Sequence, residues 1–467
     1  MRVAPLADEL AERFAADGHR LYLVGGSVRD ALLGRLGGPG GSDLDFTTDA
    51  TPDVVQRLLT GWADRQWDTG IAFGTISAVR RGQTVEITTF RADRYDRRTR
   101  NPEVVFGDTV EGDLLRRDFT VNAMAIDLTS ADRRRFVDPH DGLAALAGRL
   151  LDTPAAPEES FADDPLRMLR AARFVAQLGF SVAPRVRAAM TAMADQITRI
   201  TAERVQVELS KLITGAHPRA GIELLVDTGL AEHVLPEVPA MRLATDEHMQ
   251  HKDVYEHSLV VMEQAIDREE PGSPDLVLRM AALLHDIGKP ATRKLEADGR
   301  VSFHHHEVVG AKMTRARLRA LRYSKSIIDD VSRLVYLHLR FHGYGTGEWT
   351  DSAVRRYVTD AGPLLDRLHR LVRSDCTTRN RRRAAALQRS YDSLESRIAA
   401  LREQEELDSI RPDLDGNEIM KILGLQPGPQ VGKAYKHLLA LRMERGPLSH
   451  DEAVAELDRW AAEQNPS

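Results

Sequence analysis

Leu21-Tyr22-Leu23-Val24-Gly25-Gly26-Ser27-Val28-Arg29-Asp30, followed shortly by Ser42-Asp43-Leu44-Asp45-Phe46, decides how the chain is read. The first stretch is a four-residue apolar strand that runs into two glycines and a serine before an amphipathic run from Val28 to Leu33. Such a turn lets backbone N–H groups and the Ser27 hydroxyl approach a polyphosphate at a helix start. In the second stretch, Asp43 and Asp45 project to the same face of an extended strand. Their paired oxygens suit hard divalent cations, the arrangement that holds two Mg²⁺ ions across a phosphoryl transfer. Taken singly, these are a surface Asp-x-Asp and an ordinary Gly-Gly turn. In this order and at this spacing they imply a head that transfers nucleotides.

The chain around them has 467 residues, about three domains at roughly 150 residues each. Its 42% apolar and 29% charged composition is that of a globular protein. No apolar run approaches the ~18 residues of a membrane span. Leu6, Leu10 and Phe14 recur at helical spacing among Asp8, Glu9 and Glu12, which reads as a folded helix and not a signal peptide. Cys376 is the sole cysteine, so no internal disulfide forms, and a reducing cytoplasm is expected. The net charge of −6 argues mildly against nucleic acid, yet two local blocks are basic. Lys312 to Lys325 holds six basic residues and no acid, and Arg379-Asn380-Arg381-Arg382-Arg383 is the second. Either could follow a phosphate backbone or simply be a solvated helix face.

Along the chain, residues 1–150 mix helices with strand signals at Leu21–Val24, Leu44–Thr47, Thr75–Val79, Val85–Thr89 and Ala123–Asp127. A Gly-rich loop, residues 36–41, precedes the acidic strand. From Pro157 onward strand signals vanish, and residues 151–240 show helical periodicity, beginning with Asp163 to Leu178. Pro236 and Pro239 mark a boundary. Residues 241–400 form a second helical block with most of the histidines, and 401–467 a small helical tail.

Three further groups of polar residues extend the head. Glu86, on a neighbouring strand, is the third carboxylate of a metal site or the partner of a nearby arginine. Within Arg116-Arg117-Asp118-Phe119-Thr120-Val121-Asn122-Ala123, Arg117 can neutralise phosphate, and Asp118 and Asn122 can hydrogen-bond ribose hydroxyls. In Asp163-Asp164-Pro165-Leu166-Arg167-Met168-Leu169-Arg170-Ala171-Ala172-Arg173-Phe174, Asp164 and Arg167 lie three apart at a helix start and share a face, which Arg170 and Arg173 prolong. A carboxylate acceptor beside guanidinium donors matches the amino donor and ring acceptor of cytosine and adenine. Uracil and guanine present the reverse pattern. Such a pair accepts CTP and ATP without a template, unless it is only an i,i+3 surface ion pair.

GGSVRDALLG, DLD, RRDFTVNA, DDPLRMLRAARF and AERVQVELSKLI occur in the order found in bacterial class II tRNA nucleotidyltransferases, the CCA-adding and poly(A) polymerase family, which this chain resembles. The resemblance spans roughly the first 240 residues and resumes in the tail. It implies an α+β molecule: a polymerase-β-like nucleotidyltransferase head, then an all-helical neck, body and tail. It implies that Asp43 and Asp45 carry catalytic Mg²⁺, for which Glu86 is the candidate third partner on the reading above, and that Gly26 and Arg29 hold the triphosphate beside Gly25 and Ser27. Arg116, Arg117, Asp118 and Asn122 would meet the sugar and phosphates, and Asp164, Arg167, Arg170 and Arg173 the base and phosphates. tRNA, ATP and CTP follow as partners. Asp163 departs from the family's usual Glu. The loop Phe136-Val137-Asp138-Pro139-His140-Asp141-Gly142-Leu143 is similar to the flexible element that reshapes the pocket between C and A. Ala144 and Ala145 stand where an acid is common, and Leu151-Asp152 where Ile-Arg is frequent.

In the histidine-rich block, His257 in Tyr255-Glu256-His257-Ser258, His285-Asp286 in Leu284-His285-Asp286-Ile287-Gly288-Lys289-Pro290, and Asp375 resemble the HD phosphohydrolase superfamily. They imply a divalent metal of unidentified kind and phosphatase or 2′,3′-cyclic phosphodiesterase chemistry on tRNA ends. His306 and His338 could hold a second metal or a phosphate. In the tail, a Gly-Pro turn at Gly428-Pro429 could clamp tRNA phosphate or join packing helices. Close alternatives are a poly(A) polymerase or a CC- or A-adding enzyme, and the length of the flexible loop argues against CC addition alone. Alternatives of another class are a regulatory protein nucleotidylyltransferase, whose UTP conflicts with the Asp164/Arg167 pattern, and an HD phosphohydrolase with a degenerate head.

Overall fold

Seven short strands organise the first part of the chain: β1 (Leu21–Val24), β2 (Leu44–Thr48), β3 (Arg65–Trp67), β4 (Thr75–Arg80), β5 (Gln83–Thr89), β6 (Ala125–Asp127) and β7 (Arg135–Val137). The computed structural model describes residues 5–35, 43–68, 74–90, 107, 109–130, 135–242, 253–298, 301–341, 349–376, 381–405 and 411–464. The Gly-rich loop 36–41, Ser42, Arg379 and Asn380 lie outside the described residues. The described chain divides into two compact units, Met1–Val234 and Leu235–Ser467.

In the first unit the strands form one mixed sheet in the order β3-β4-β5-β2-β1-β6-β7. β1 is apolar throughout and buried at every position, as a strand flanked on both sides must be. It runs antiparallel to β2, with Leu23 opposite Phe46, and antiparallel to β6, with Leu23 opposite Ile126. β2 runs parallel to β5, and this register sets Asp45 opposite Glu86. The helix Pro5–Ala16 closes over the sheet through Leu6, Leu10 and Phe14.

β3 and β7 were not expected, because both are sheet edges without buried alternation; all three residues of β3 are exposed. The expected strand Ala123–Asp127 begins only at Ala125, since Thr120–Asn122 makes a 3₁₀ turn. The expected helix Asp163–Leu178 is broken. One helix, Pro157–Asp163, ends at Asp164 (φ −140°), and the next runs Leu166–Leu178. Pro165 is the cause, since its ring disfavours helical geometry in the residue before it. Among the described residues, strands beyond Pro157 persist only in two-residue ladders, Ser181–Val182 against Leu150–Leu151 and Lys294–Leu295 against Val301–Ser302.

Helices Leu166–Leu178, Ala202–Ile213 and Pro218–Asp227 pack together after the sheet. Gly221 permits that packing: a Cβ there would lie 2.8 Å from the Ala172 carbonyl oxygen and 3.0 Å from Leu212 Cγ. In the second unit, helices Val254–Ile266, Leu276–Leu284, His306–Ala320, Lys325–Leu337 and Leu365–Ser374 surround a common core. Leu276–Leu284 is buried from Val277 to Leu284, and Asp275 caps it by accepting from the Val277 and Leu278 N–H groups. Its C-terminal end delivers His285 and Asp286 into that core.

The basic stretch Lys312 to Lys325 lies mainly on His306–Ala320, where Arg315 pairs with Asp329 and Arg317 with Glu237. Arg381–Arg383 open a 25-residue helix ending at Glu405. The tail has its own small core of Leu414, Ile419, Leu438, Leu441 and Leu457, and the helix Pro429–Arg445 starts at Gly428 without a side-chain cap. Among the described residues, no helix is long and apolar enough to cross a membrane.

Candidate functional site

Strand register sets Asp45 opposite Glu86 in the β2–β5 ladder, and Asp43 stands immediately before β2. Ser27 anchors them: its Oγ donates to the Asp43 carbonyl and accepts from the Asp45 N–H, both at 3.1 Å. The side chain is 1% exposed, so the hydroxyl expected to approach a polyphosphate instead ties the acidic strand to the turn after β1. Burial pushes the Asp45 carboxyl up to about 6 against the opposing pull of Arg117, with Glu86 and Asp43 adding to the rise. Glu86 and Asp43 act on Asp45 electrostatically without their donor atoms converging as those of the second unit do, and a divalent cation beside them would favour the charged forms.

The turn itself demands glycine. Gly25 has φ 67° and ψ −135°, and a Cβ on it would lie 2.8 Å from Arg117 Nη1 and 3.7 Å from Asp45 Oδ2. Arg117 is held from behind by Asp113 at 3.2 Å, so its guanidinium is set beside the acid pair.

The remaining predicted residues gather in a second, more buried network. Asp118 accepts at Oδ1 from the Phe119 N–H (2.8 Å) and Asn122 Nδ2 (2.9 Å), and at Oδ2 from Arg170 Nε (2.8 Å). Burial opposes its charge, but Arg170, Asn122 and Arg167 hold it well below the usual carboxylate range. Asn122 Oδ1 accepts from Arg29 Nη1 at 2.6 Å, while the rest of the Arg29 fork grips Asp30 at 2.9 and 3.0 Å. Arg29, Asp118 and Asn122 are therefore linked to one another more than to solvent.

Asp164 and Arg167 do not pair with each other. Asp164 Oδ2 takes Arg204 at 2.8 Å and its Oδ1 caps the Leu166 N–H. Arg167 donates to Ser160 Oγ (2.7 Å) and to the Arg116 carbonyl (2.6 Å). Arg173 lies 3.2 Å from Glu208.

Several participants escaped the sequence reading. The Phe174 ring has the guanidinium carbons of Arg173, Arg29 and Arg170 at 4.2, 5.2 and 5.9 Å from its centroid, and it meets Phe119 edge-on at 5.7 Å. Cations over a desolvated ring are stabilised by its quadrupole. Arg204 and Glu208 were also missed, although their i,i+4 spacing within AERVQVELSKLI marks one helix face.

In the second unit, six predicted residues converge. Donor atoms of His257, His285 and Asp375 lie within 4.8 Å of one another, as do those of Asp286, His306 and His338. Asp286 Oδ2 lies 3.2 Å from His285 Nε2 and 2.5 Å from Lys289 Nζ, and its Oδ1 lies 3.2 Å from His306 Nε2. His257 Nε2 is 2.9 Å from Asp375 Oδ1. The Nδ1 atoms of His285, His306 and His338 face the carbonyls of Ala282, Phe303 and Val335 at 2.8, 2.8 and 2.6 Å. A carbonyl only accepts, so each Nδ1 carries a proton and each Nε2 is turned inward toward the carboxylates.

The buried Nε2 atoms of His306 and His338 complete no hydrogen bond, the condition expected of atoms placed for a metal. Burial opposes a charge on His285, but Asp286 and Asp375 raise its pKa to about 10, whereas burial and charged His285 hold His338 down to about 3. Gly288 admits the helix bearing His306, because a Cβ there would overlap the His306 carbonyl.

Three stretches match known families: residues 21–152 the poly A polymerase head domain, 179–241 the probable RNA and SrmB-binding site of polymerase A, and 254–401 the HD domain. The chain is 36% identical over 362 residues to an A-adding tRNA nucleotidyltransferase of Deinococcus radiodurans, covering 76% of this chain and 80% of the relative. It is 31% identical over 455 residues to a CCA-adding enzyme of Anoxybacillus flavithermus, covering 96% and 94%. Its fold is similar to the Bacillus stearothermophilus CCA-adding enzyme in complex with CTP (TM-score 0.70, 23% identity, 99% of each chain). It is also similar to the Thermotoga maritima CCA-adding enzyme complexed with tRNA (TM-score 0.59, 17% identity, 98% and 97%).

The strained turn at Gly25 gives a direct stability test. Replacing Gly25 with Ala should cost about 1–3 kcal/mol, since a left-handed residue with a blocked Cβ must shift backbone or Arg117. Urea denaturation reads this, and an unchanged midpoint and slope would contradict the reading.

Proposed function

This chain belongs to the CCA-adding tRNA nucleotidyltransferase family, and we propose from that premise that residues 1–150 act as its catalytic head. Residues 151–240 would serve as a base-reading neck, 241–400 as an HD-type body and 401–467 as a tRNA-binding tail. The protein is a template-independent tRNA nucleotidyltransferase. CTP and ATP are the substrates, pyrophosphate leaves, and the 3′-terminal CCA of tRNA is the product.

The observation that supports the assignment of the head is the Asp45–Glu86 pair of the β2–β5 ladder, with Asp43 just before the strand, beside the Gly25 turn. The residues fit Mg²⁺, held by Asp43 and Asp45 with Glu86 alongside, which would activate the terminal 3′-hydroxyl and offset charge on the triphosphate. Arg117, set 2.8 Å from where a Gly25 Cβ would stand, is placed to neutralise phosphate. The hydroxyl attacks the α-phosphate in line and pyrophosphate departs. Gly26, Arg29, Arg116 and Asn122 would border the bound nucleotide.

Base choice would fall to Asp164 as acceptor and Arg167 as donor, each steered by a second residue: Arg204 holds Asp164, and Ser160 with the Arg116 carbonyl sets the Arg167 fork. Arg170 and Arg173, braced by Asp118 and Glu208 around Phe174, would fix the helix that presents them. A single cysteine and the lack of a membrane-crossing helix among the described residues support a cytoplasmic location.

The test uses tRNA ending before CCA and tRNA ending in CC, each with labelled CTP, ATP, UTP or GTP alone and in combination. C, C and A should be added in turn. Addition of A only, and only to the CC-ended tRNA, would narrow the enzyme to the A-adding type. Asp43→Ala and Asp45→Ala should abolish addition while tRNA binding persists, and near-normal turnover in either would overturn the head assignment. Asp164→Ala should erode preference for CTP and ATP over UTP by about 1–3 kcal/mol per lost hydrogen bond.

A second activity is favoured by the six converging ligands of the body. His257, His285, Asp286 and Asp375, with His306 and His338, would hold divalent metal and hydrolyse a phosphomonoester or 2′,3′-cyclic phosphate on a tRNA end. His285→Ala should remove this hydrolysis and leave nucleotide addition intact, with thermal melting showing that the variant is folded. Full hydrolase activity in a folded His285→Ala protein, or none in wild type with Mg²⁺, Mn²⁺, Co²⁺ or Ni²⁺, would instead make the block a scaffold.

A further inference from the structure

Ser160 stands where an apolar side chain is expected. In the helix Pro157–Asp163 the buried residues are Pro157, Ser160 and Phe161, while Glu158, Glu159, Ala162 and Asp163 are exposed. Positions i, i+3 and i+4 form one helix face, and a hydroxyl buried on such a face costs stability unless it finds a partner. Ser160 is 3% exposed, and its Oγ accepts from Arg167 Nη1 at 2.7 Å.

That bond closes a ring. The Asp164 N–H donates to the Ser160 carbonyl at 3.2 Å, and the Arg167 N–H donates to the Asp164 carbonyl at 3.0 Å. Pro165 interrupts the helix between Asp164 and Arg167, so regular helical geometry does not set one against the other. Two bonds of the ring join backbone to backbone. The third joins side chains, and it alone governs where the guanidinium points.

Arg167 has one other firm hold, from Nη2 to the Arg116 carbonyl at 2.6 Å. The contact of Nη1 with the Ser160 carbonyl is long, at 3.4 Å, and that oxygen already takes the Asp164 N–H. Without the Ser160 hydroxyl the guanidinium would be free to pivot about Arg116. Asp164 is secured independently, by Arg204 at 2.8 Å and by the Leu166 N–H at 3.2 Å. Loss of the hydroxyl therefore frees the donor of the pair and leaves the acceptor in place.

We infer that Ser160 is a positioning residue that sets base specificity: its hydroxyl aims Arg167 at the ring acceptor of the incoming base, N3 of cytosine or N1 of adenine. This rests on Asp164 and Arg167 being the base readers. It divides their work, since the amino group is met by an acceptor that does not depend on Ser160 and the ring nitrogen by a donor that does.

The experiment compares each nucleotide with an analogue that keeps the amino group and replaces the ring nitrogen by C–H. CTP and 3-deaza-CTP are used with tRNA ending before CCA, and ATP and 1-deaza-ATP with tRNA ending in CC. Wild type should favour the natural nucleotide by about tenfold in kcat/KM, the scale of one hydrogen bond to a charged group. In Ser160→Ala the preference should shrink to about threefold or less, because there is less of that bond to lose. Ser160→Thr keeps the oxygen and should restore the wild-type preference. In the Arg167→Ala background, Ser160→Ala should change the preference no further, since the two act through one bond. Thermal melting shows which variants are folded, and Ser160→Cys, whose sulfur accepts only weakly, takes the place of Ser160→Ala if that variant does not fold. A full preference in folded Ser160→Ala, or an activity loss equal on natural nucleotide and analogue, would overturn the role of Ser160 and leave the base readers standing. No preference in wild type would overturn the base readers as well.

Discussion

The first unit depends on a carboxylate placed where burial opposes its charge. Asp45 lies in strand register with Glu86 near the start of β2, where its N–H is held by Ser27, and its pKa is raised to about 6. Such a cluster is tolerated only where cations stand near. Arg117 supplies one. Gly25 follows from the same constraint, because any side chain there would collide with the arginine that faces the acids. Strand pairing, turn geometry and charge balance therefore all serve one point in the sheet.

A second carboxylate does a different task. Asp118 is 7% exposed, with both oxygens occupied by Phe119, Asn122 and Arg170. It joins the turn after Arg116-Arg117 to the helix Leu166–Leu178. Through Asn122 the chain of bonds continues to Arg29 and Asp30, and the three arginines around Phe174 share a single ring. Hydrogen bonds thereby link the helix Leu166–Leu178 to the turn that carries Gly26 and Arg29. Buried networks of this kind hold geometry more by leaving no group unsatisfied than by the strength of one bond.

How much of this was legible from residues alone varied with the range of the interaction. Buried central strands, such as Leu21–Val24 and Leu44–Thr48, declared themselves through their local residue types, whereas the exposed edge strands Arg65–Trp67 and Arg135–Val137 carry no such signal. The Asp-x-Asp pair and the HD string were visible because residue type and spacing encode ligand chemistry. The break at Asp164 was missed although Pro165 announced it. The partners of Arg29, Asp164 and Arg173 depend on long-range packing or rotamer choice, and Ser27 turned toward β2 where local logic pointed it at a ligand. Phe174 read as an ordinary core aromatic, and only the folded chain shows the guanidiniums gathered around it.

The most direct measurement counts metal ions. Mn²⁺ binding, followed by the electron paramagnetic resonance of the free ion, should be titrated in the presence of a non-hydrolysable CTP analogue for wild type and for Asp43→Asn/Asp45→Asn. If the acid pair holds the catalytic cations, the double variant binds fewer Mn²⁺ than wild type and keeps the ions ascribed to the histidine cluster. An unchanged count at unchanged affinity would mean that Asp43 and Asp45 are not metal ligands, and the assignment of the head would fail with them.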